Sequence, residues 1–304
     1  MMHAPRTPKT LEVTLALLAR LPLQFLHALG ALTGEVLART SNRPRRIAEA
    51  TLALCFPEQT PTERRRMTRQ ALRETSKAAL EIGPLFKRSP EHLLRWVRTV
   101  NGAEHLDAAI QKGSGCLLLA PHIGCWELLN LWVAARHPLT ALYRPPRQPW
   151  LEPLLLEART RNGARMLPAG PQGVRGVLRA LRHGEVVGIL PDQEPDGHEP
   201  FAPFFGVPAK TMTLASRVAE RSGASVLFAM AARRPHGDGF DLHFFPAEAQ
   251  IASPDAETAT AALNRGVEEC VRLAPAQYQW TYKRFNTQPD GSRPYPARRK
   301  HGGA

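Results

Sequence analysis

His122 and Glu127 are the first pair in this chain whose types and spacing can do chemistry. They stand in the segment Pro121-His122-Ile123-Gly124-Cys125-Trp126-Glu127. A histidine titrates near neutral pH, and a carboxylate bonded to one ring nitrogen fixes its tautomer. The other nitrogen is then free to take a proton from an attacking hydroxyl. No serine or cysteine nucleophile is needed, because an acceptor hydroxyl can attack directly. On a continuous helix, side chains five apart point about 140° away from each other. The two meet only if His122 lies in a turn and Glu127 in the first turn of the following helix. Pro121 and Gly124 make such a turn feasible, and Glu127 would complement the helix dipole there. Such a spacing arises by chance, and taken alone it favours a hydrogen-bonded loop histidine.

The elements around the pair favour the turn. Cys116 to Ala120 is a short continuous apolar run, the pattern of a buried strand. Trp126 to Ala135 has the pattern of a helix. In open α/β sheets, functional residues gather just beyond the carboxyl ends of strands, which is where this segment falls. Further strands are predicted at Thr140–Tyr143, Arg165–Leu167, Val186–Leu190, Ser225–Ala231 and Phe240–Phe245. Helices are predicted at Trp150–Arg161, Gly173–Arg182, Thr211–Arg221 and Asp255–Leu273. Before residue 101 the chain reads as helical, with Ala48–Cys55 broken by Phe56-Pro57-Glu58. A long helix then runs from Thr62 to about Ile82, where Gly83-Pro84 is a stop signal. Arg64-Arg65-Arg66 fits a solvated face or a phosphate contact. This pattern predicts one α/β domain with an N-terminal helical extension. Residues 1–40 form a membrane-associated helix, 41–100 a helical segment packed on the core, 101–290 the α/β core and 291–304 a flexible basic tail.

The N-terminal extension is rich in Leu and Ala from Leu11 to Ala38, but Arg20, Pro22, Gln24 and His27 interrupt it. Its longest uncharged run, Leu21 to Gly34, falls short of the roughly 20 apolar residues that span a bilayer. No small-residue cleavage site follows a short apolar run. An amphipathic or shallowly inserted helix lying in one leaflet is expected, with Arg39, Arg43, Arg45 and Arg46 at the cytoplasmic face. A core helix of a soluble domain is the alternative.

The whole chain has 304 residues, 40 Lys plus Arg and 27 Asp plus Glu, for a formal charge of +13. Such an excess draws anionic partners: nucleic acid, phospholipid, a phosphorylated substrate or an acidic protein. An Arg-rich solvated surface is the plain alternative. No nucleic-acid motif and no regular basic-aromatic interleaving is present, so no nucleic-acid partner is expected. Cys55, Cys116, Cys125 and Cys270 form no C-x-x-C pair, which argues against zinc; no metal site is expected. Their mostly apolar surroundings suit buried, reduced thiols. Neither the G-x-S-x-G of serine hydrolases nor a P-loop occurs.

Several ordered blocks accompany the His122–Glu127 pair. They are Leu54-Cys55-Phe56-Pro57-Glu58, Tyr143-Arg144-Pro145, a helix end with Arg159 and Arg161, Asp192-Gln193, Pro203-Phe204-Phe205-Gly206, and Tyr278-Gln279-Trp280-Thr281-Tyr282-Lys283-Arg284-Phe285. In this order they resemble the bacterial lipid A late acyltransferases of the lauroyl/myristoyl type, part of the wider H-x4-D/E lysophospholipid-type group. The resemblance covers about residues 10 to 290. Thr51, where Asn is common in that family, is the clearest departure and touches nothing catalytic.

The resemblance implies a glycerolipid acyltransferase-like fold with a mixed central sheet flanked by helices. It implies an acyltransferase of the cytoplasmic face of the inner membrane, acting without a cofactor. The donor would be an acyl carrier protein thioester of lauroyl to myristoyl length, and the acceptor a hydroxyl of a phosphorylated lipid A precursor. His122 would deprotonate that hydroxyl and Glu127 would orient the ring. Arg159, with Arg161 beside it, would hold a phosphate or form a structural salt bridge. Asp192 would support the acceptor site or a neighbouring Arg, or cap a turn. Tyr143 and Arg144 would contact substrate. Phe204, Phe205 and Gly206 would shape a pocket or form a core turn. Lys283 and Arg284 would meet membrane or carrier phosphates, or form a solvated basic end. The positive charge suits an acidic carrier protein, a phosphorylated acceptor and an anionic inner leaflet alike. A lysophospholipid or glycolipid acceptor is the neighbouring reading. A non-catalytic basic membrane-binding protein is the reading from another class.

Overall fold

A computed structural model describes residues 8–295. Four helices come first: α1 (Lys9–Arg20), α2 (Leu23–Arg39), α3 (Arg43–Cys55) and α4 (Pro61–Lys87). A short α5 (Pro90–Leu94) leads into β1 (Val97–Asn101) and α6 (Ala103–Gln111). Alternation then sets in: β2 (Cys116–Leu119), α7 (Trp126–Ala134), β3 (Leu139–Tyr143), α8 (Leu151–Thr160), β4 (Arg165–Pro168), α9 (Pro171–Arg182) and β5 (Val186–Ile189). A hairpin of β6 (Phe201–Phe204) and β7 (Val207–Lys210) precedes α10 (Leu214–Ser222), β8 (Ser225–Arg233), β9 (Phe240–Pro246) and α11 (Ala256–Leu273).

Seven strands form one mixed sheet in the order β1-β9-β8-β2-β5-β3-β4. Every neighbouring pair is parallel except β8 with β9, the pair joined by the turn-rich Pro235–Gly239 segment. The central strands are buried on both faces, which is why they read as unbroken apolar runs. Alternate residues supply separate cores. Leu117, Leu119, Val187, Ile189 and Phe228 pack with α3, α9, α10 and α11 on one side. Cys116, Leu118, Val186, Leu227 and Ala229 pack with α5 to α8 on the other.

Three features depart from the sequence pattern. Strand β1, pairing with β9, falls in the stretch expected to be helical. Helix α4 does not stop at Gly83-Pro84 but runs one more turn to Lys87. Gly83 serves a close approach instead: a Cβ there would sit 2.4 Å from the Leu18 Cβ of α1. The Pro203-Phe204-Phe205-Gly206 block is the turn of the β6–β7 hairpin, with positive φ at Phe205 (48°) and Gly206 (76°), as a two-residue hairpin loop of that hand requires. Phe204 is fully buried in the core, and the block lies away from the cavities described below. It is therefore a core turn.

The expected N-terminal helix is two helices, broken at Leu21-Pro22 and packed on α4. Gly30 and Gly34 make that packing close: a Cβ at either would come within 2.7 and 2.3 Å of the Lys77 and Arg73 Cα atoms. On the outward side Val13, Leu17, Phe25, Leu29, Leu32 and Val36 are exposed. The last four fall at i, i+4, i+7 and i+11 of α2, one continuous stripe. No helix among the described residues is long and apolar enough to cross a membrane. The tail expected to be loose is docked at its start: Tyr295 is buried and its hydroxyl accepts the Phe285 N–H and the Thr51 hydroxyl. The rest of that tail, residues 296–304, and the first seven residues of the expected N-terminal segment lie outside the described residues.

Candidate active site

The chain leaves β2 at Leu119 and enters the turn that carries His122. Gly124 adopts φ +60 and lies against β8, where a Cβ would come within 1.9 Å of the Ala231 carbonyl oxygen. Only glycine fits such a contact. Helix α7 then begins at Trp126, which places Glu127 in its first turn as the spacing required. The segment after α11 clamps the turn from the other side. Gly124 donates to the Gln277 carbonyl (3.2 Å), and Gln279 donates its N–H to the His122 carbonyl (3.1 Å).

His122 and Glu127 are not hydrogen-bonded to each other; Asp192 takes the place expected of Glu127. Its Oδ1 lies 2.8 Å from His122 Nδ1, and its Oδ2 accepts the His122 backbone N–H at 3.0 Å. Asp192 follows β5, the parallel neighbour of β2, so both residues emerge at the carboxyl edge of the sheet. Asp192 is 3% exposed and His122 14%. Burial alone would raise the Asp192 carboxyl, but the His122 ring and backbone N–H outweigh it and hold the carboxyl below its ordinary value. With Nδ1–H given to Asp192, Nε2 is the acceptor, and the Gln193 amide reaches it at 3.3 Å. Gln193 also donates to Gln279 (3.2 Å), and the Trp126 ring stands 5.0 Å from the imidazole.

The reason for the exchange is Arg159. From the end of α8 its Nε donates to both Glu127 oxygens at 3.1 and 3.0 Å, and Nη2 donates to Oε1. A forked guanidinium matches both oxygens of a carboxylate, so Glu127 is held there. Arg161 is elsewhere: it donates to the carbonyls of Leu85 and Phe86 and caps the end of α4. Arg284 is likewise structural, 1% exposed, bonded to the Lys210 carbonyl, the Thr211 hydroxyl and the Asn264 side chain.

His122, Trp126, Glu127 and Arg159 stand in the walls of two cavities. One, about 680 Å³, is lined by the C-terminal ends of β3 and β5 and carries Tyr143, Arg144, Gln193, Glu194 and Asp196. The Tyr143 hydroxyl donates to Glu152 (2.6 Å), which with burial raises it to about 12, and Arg144 pairs with Asp196. The other, about 360 Å³, runs under α4 and is lined by Ala78, Ala79, Ile82, Leu85, Phe86 and Leu155.

A buried ion network underlies the turn, and sequence reasoning did not anticipate it. Arg233, at the end of β8, donates from Nε and Nη2 to the two Glu81 oxygens and from Nη2 to the Gly124 carbonyl (2.8 Å). Glu81 also takes His27 Nε2 of α2 at 2.7 Å. Burial opposes the Glu81 charge, but Arg233 and His27 overcome it and lower the carboxyl to about 2. The Gln277 side chain joins both Arg233 backbone groups. One signal was available: Glu81 lies on the apolar stripe of α4 with Ala78 and Leu85, an odd place for an acid. All four cysteines are buried and unpaired. Burial raises each thiol, that of Cys116 to about 12.

Residues 11–287 match the family described as bacterial lipid A biosynthesis acyltransferase. Among curated relatives, the lipid A biosynthesis lauroyltransferase of Escherichia coli (strain K12) is 32% identical over 277 residues, 90% of each chain. The lipid A biosynthesis palmitoleoyltransferase of the same organism is 30% identical over 274 residues, covering 90% of this chain and 88% of the relative. A lipid A biosynthesis acyltransferase of Haemophilus influenzae (strain ATCC 51907 / DSM 11121 / KW20 / Rd) is 27% identical over 279 residues, 91% of this chain and 86% of its own. With its sheet, its turn and nearly its whole length accounted for, the chain belongs to the bacterial lipid A biosynthesis acyltransferase family.

Proposed function

We propose that this protein transfers a fatty acyl chain, of lauroyl to myristoyl length, from an acyl carrier protein thioester to a hydroxyl of a lipid A precursor. The observation that carries the reading is an imidazole fixed through Nδ1 by Asp192, on a residue that lines both cavities. Nε2 takes the proton of the acceptor hydroxyl, and the oxygen attacks the thioester carbonyl carbon. The new C–O bond forms, the C–S bond breaks, and the departing thiolate receives the proton from the imidazolium. Asp192 stabilises that imidazolium, the part first expected of Glu127. Glu127 holds Arg159 in the wall of both cavities, so the pair adds a neutralised, rigid edge beside the ring. No covalent enzyme intermediate and no cofactor enters this scheme. The larger cavity, the more polar of the two, suits the acceptor, and the more apolar cleft under α4 suits the acyl chain.

The exposed stripe of α1 and α2 would lie in the headgroup region of the anionic inner leaflet, on the cytoplasmic side. The acidic carrier protein would be drawn by the net charge of +13. Mass spectrometry of lipid extracts with and without the gene tests the reading. A gain of one acyl chain on lipid A, lost when His122→Ala replaces the wild type, supports it. Normal transfer by His122→Ala would sink the mechanism. A change in phospholipid or another glycolipid, with lipid A unaltered, would replace the acceptor.

A further inference from the structure

Neither Arg159 nor Arg161 offers a free cation to an acceptor phosphate, since Glu127 occupies the one and helix carbonyls the other. A different part of the rim does. Beside the 680 Å³ cavity lies an open groove of about 710 Å³, and the two share Arg144, Glu194 and Asp196 in their walls. Arg43 enters the groove from the first turn of α3, Arg147 from the loop before α8, and Lys283 from the closing segment. Both acids are already engaged. Glu194 accepts the Thr287 N–H and hydroxyl, and Asp196 pairs with Arg144. Among the described residues no carboxylate forms an ion pair with Arg43, Arg147 or Lys283; the Lys283 ammonium lies 5.4 Å from the Tyr295 ring centre instead.

Four cations and two carboxylates thus line one concavity, a net charge of +2, and Arg43, Arg147 and Lys283, from three separate stretches of chain, have no ion-pair partner among the described residues. Such an arrangement raises the local concentration of anions, and arginines bind phosphate oxygens in a forked manner. We propose that this groove binds a phosphate group of the lipid acceptor, fixing it while the hydroxyl to be acylated lies at His122. The proposal rests on reading the acceptor as a phosphorylated lipid, and it moves the phosphate site from Arg159 and Arg161 to Arg43, Arg147 and Lys283. The same chemistry could come from a phosphodiester of the surrounding membrane, so the test separates the two sources.

The full chain in neutral detergent micelles is titrated with a phosphorylated lipid A precursor and with the same lipid after phosphatase treatment. An anionic phospholipid is added as competitor. The wild type binds the phosphorylated form about 10-fold or more tightly than the treated form, about 1.4 kcal/mol. The double variant Arg147→Ala, Lys283→Ala loses that margin and shows a shallower salt dependence, while its circular dichroism is unchanged. Phospholipid displaces the precursor only weakly. Equal wild-type affinity for both forms, a margin retained in the variant, or full displacement by phospholipid overturns the proposal. Because the readout is binding, a wild type that keeps the margin but transfers no acyl group refutes the reaction and leaves the groove standing.

Discussion

His122 and Asp192 are joined at two points: ring Nδ1 and backbone N–H of the one meet the two carboxylate oxygens of the other, at 2.8 and 3.0 Å. The ring bond fixes the tautomer and the backbone bond fixes the turn, so one carboxylate sets both the direction and the chemistry of Nε2.

Replacing Asp192 by Asn is therefore expected to lower kcat by roughly 10²-fold or more, with KM for both substrates little changed. Glu127→Gln leaves the ring in place. A downfield proton resonance from Nδ1–H should persist in Glu127→Gln and vanish in Asp192→Asn. Loss of that resonance in Glu127→Gln instead would return the orienting role to Glu127.

Asp192 was legible in the sequence only as a member of a block, because its partner lies 70 residues away and no periodicity links them. The strands β2 and β5 were legible as apolar runs, and their parallel pairing is what brings the two residues together. The turn at Gly124 was legible from Pro121 and Gly124 flanking His122. The Glu127 partner was not, since nothing in a five-residue spacing shows that Arg159, a helix away, makes a better fork for a carboxylate. Arg233 was hidden in an Arg-Arg pair that reads as surface charge, and β1 in a short segment flanked by helical patterns.

The buried Glu81–Arg233 pair predicts a pH signature. Its carboxyl is lowered from 4.5 to about 2, so the stability it contributes is complete above about pH 4.5 and fades as the pH falls toward 2. Glu81→Gln leaves Arg233 buried with its charge poorly matched, a loss of about 3–5 kcal/mol at neutral pH. Urea midpoints measured from pH 7 to pH 3 should show that loss at neutral pH narrowing as the wild type weakens in acid. A constant difference across the range would count against the assignment.

Gly124→Ala tests the contact beneath the turn. A methyl group 1.9 Å from the Ala231 oxygen forces the backbone apart, and the positive φ adds strain of about 1 kcal/mol or more. The variant should unfold at lower temperature and lose most of its transfer activity, with membrane binding retained. Wild-type activity at wild-type stability would show that the turn is slacker than its contacts imply.

Leu32→Asp with Val36→Asp tests the outer stripe of α2. Each large apolar side chain moved out of water contributes about 1.5–3 kcal/mol, so cosedimentation with anionic vesicles should fall by at least about 10²-fold. Neither side chain is buried in the fold, so thermal stability should hold. Unchanged vesicle binding would count against this stripe as a membrane contact.

The strand order has a bearing on how the molecule is made. Strand β2 is flanked by β5 and β8, so the strand before His122 cannot be enclosed until Ser225–Arg233 has left the ribosome. The clamp on Gly124 and His122 comes later still, from Gln277 and Gln279. Meanwhile α1 and α2, with their outward apolar stripe, are already synthesised. Pairings this distant in sequence form slowly and leave sticky surface uncovered while they wait. If a lipid surface captures those two helices early, it would shelter them during that interval, and the same stripe would act as a folding aid as well as a proposed membrane contact.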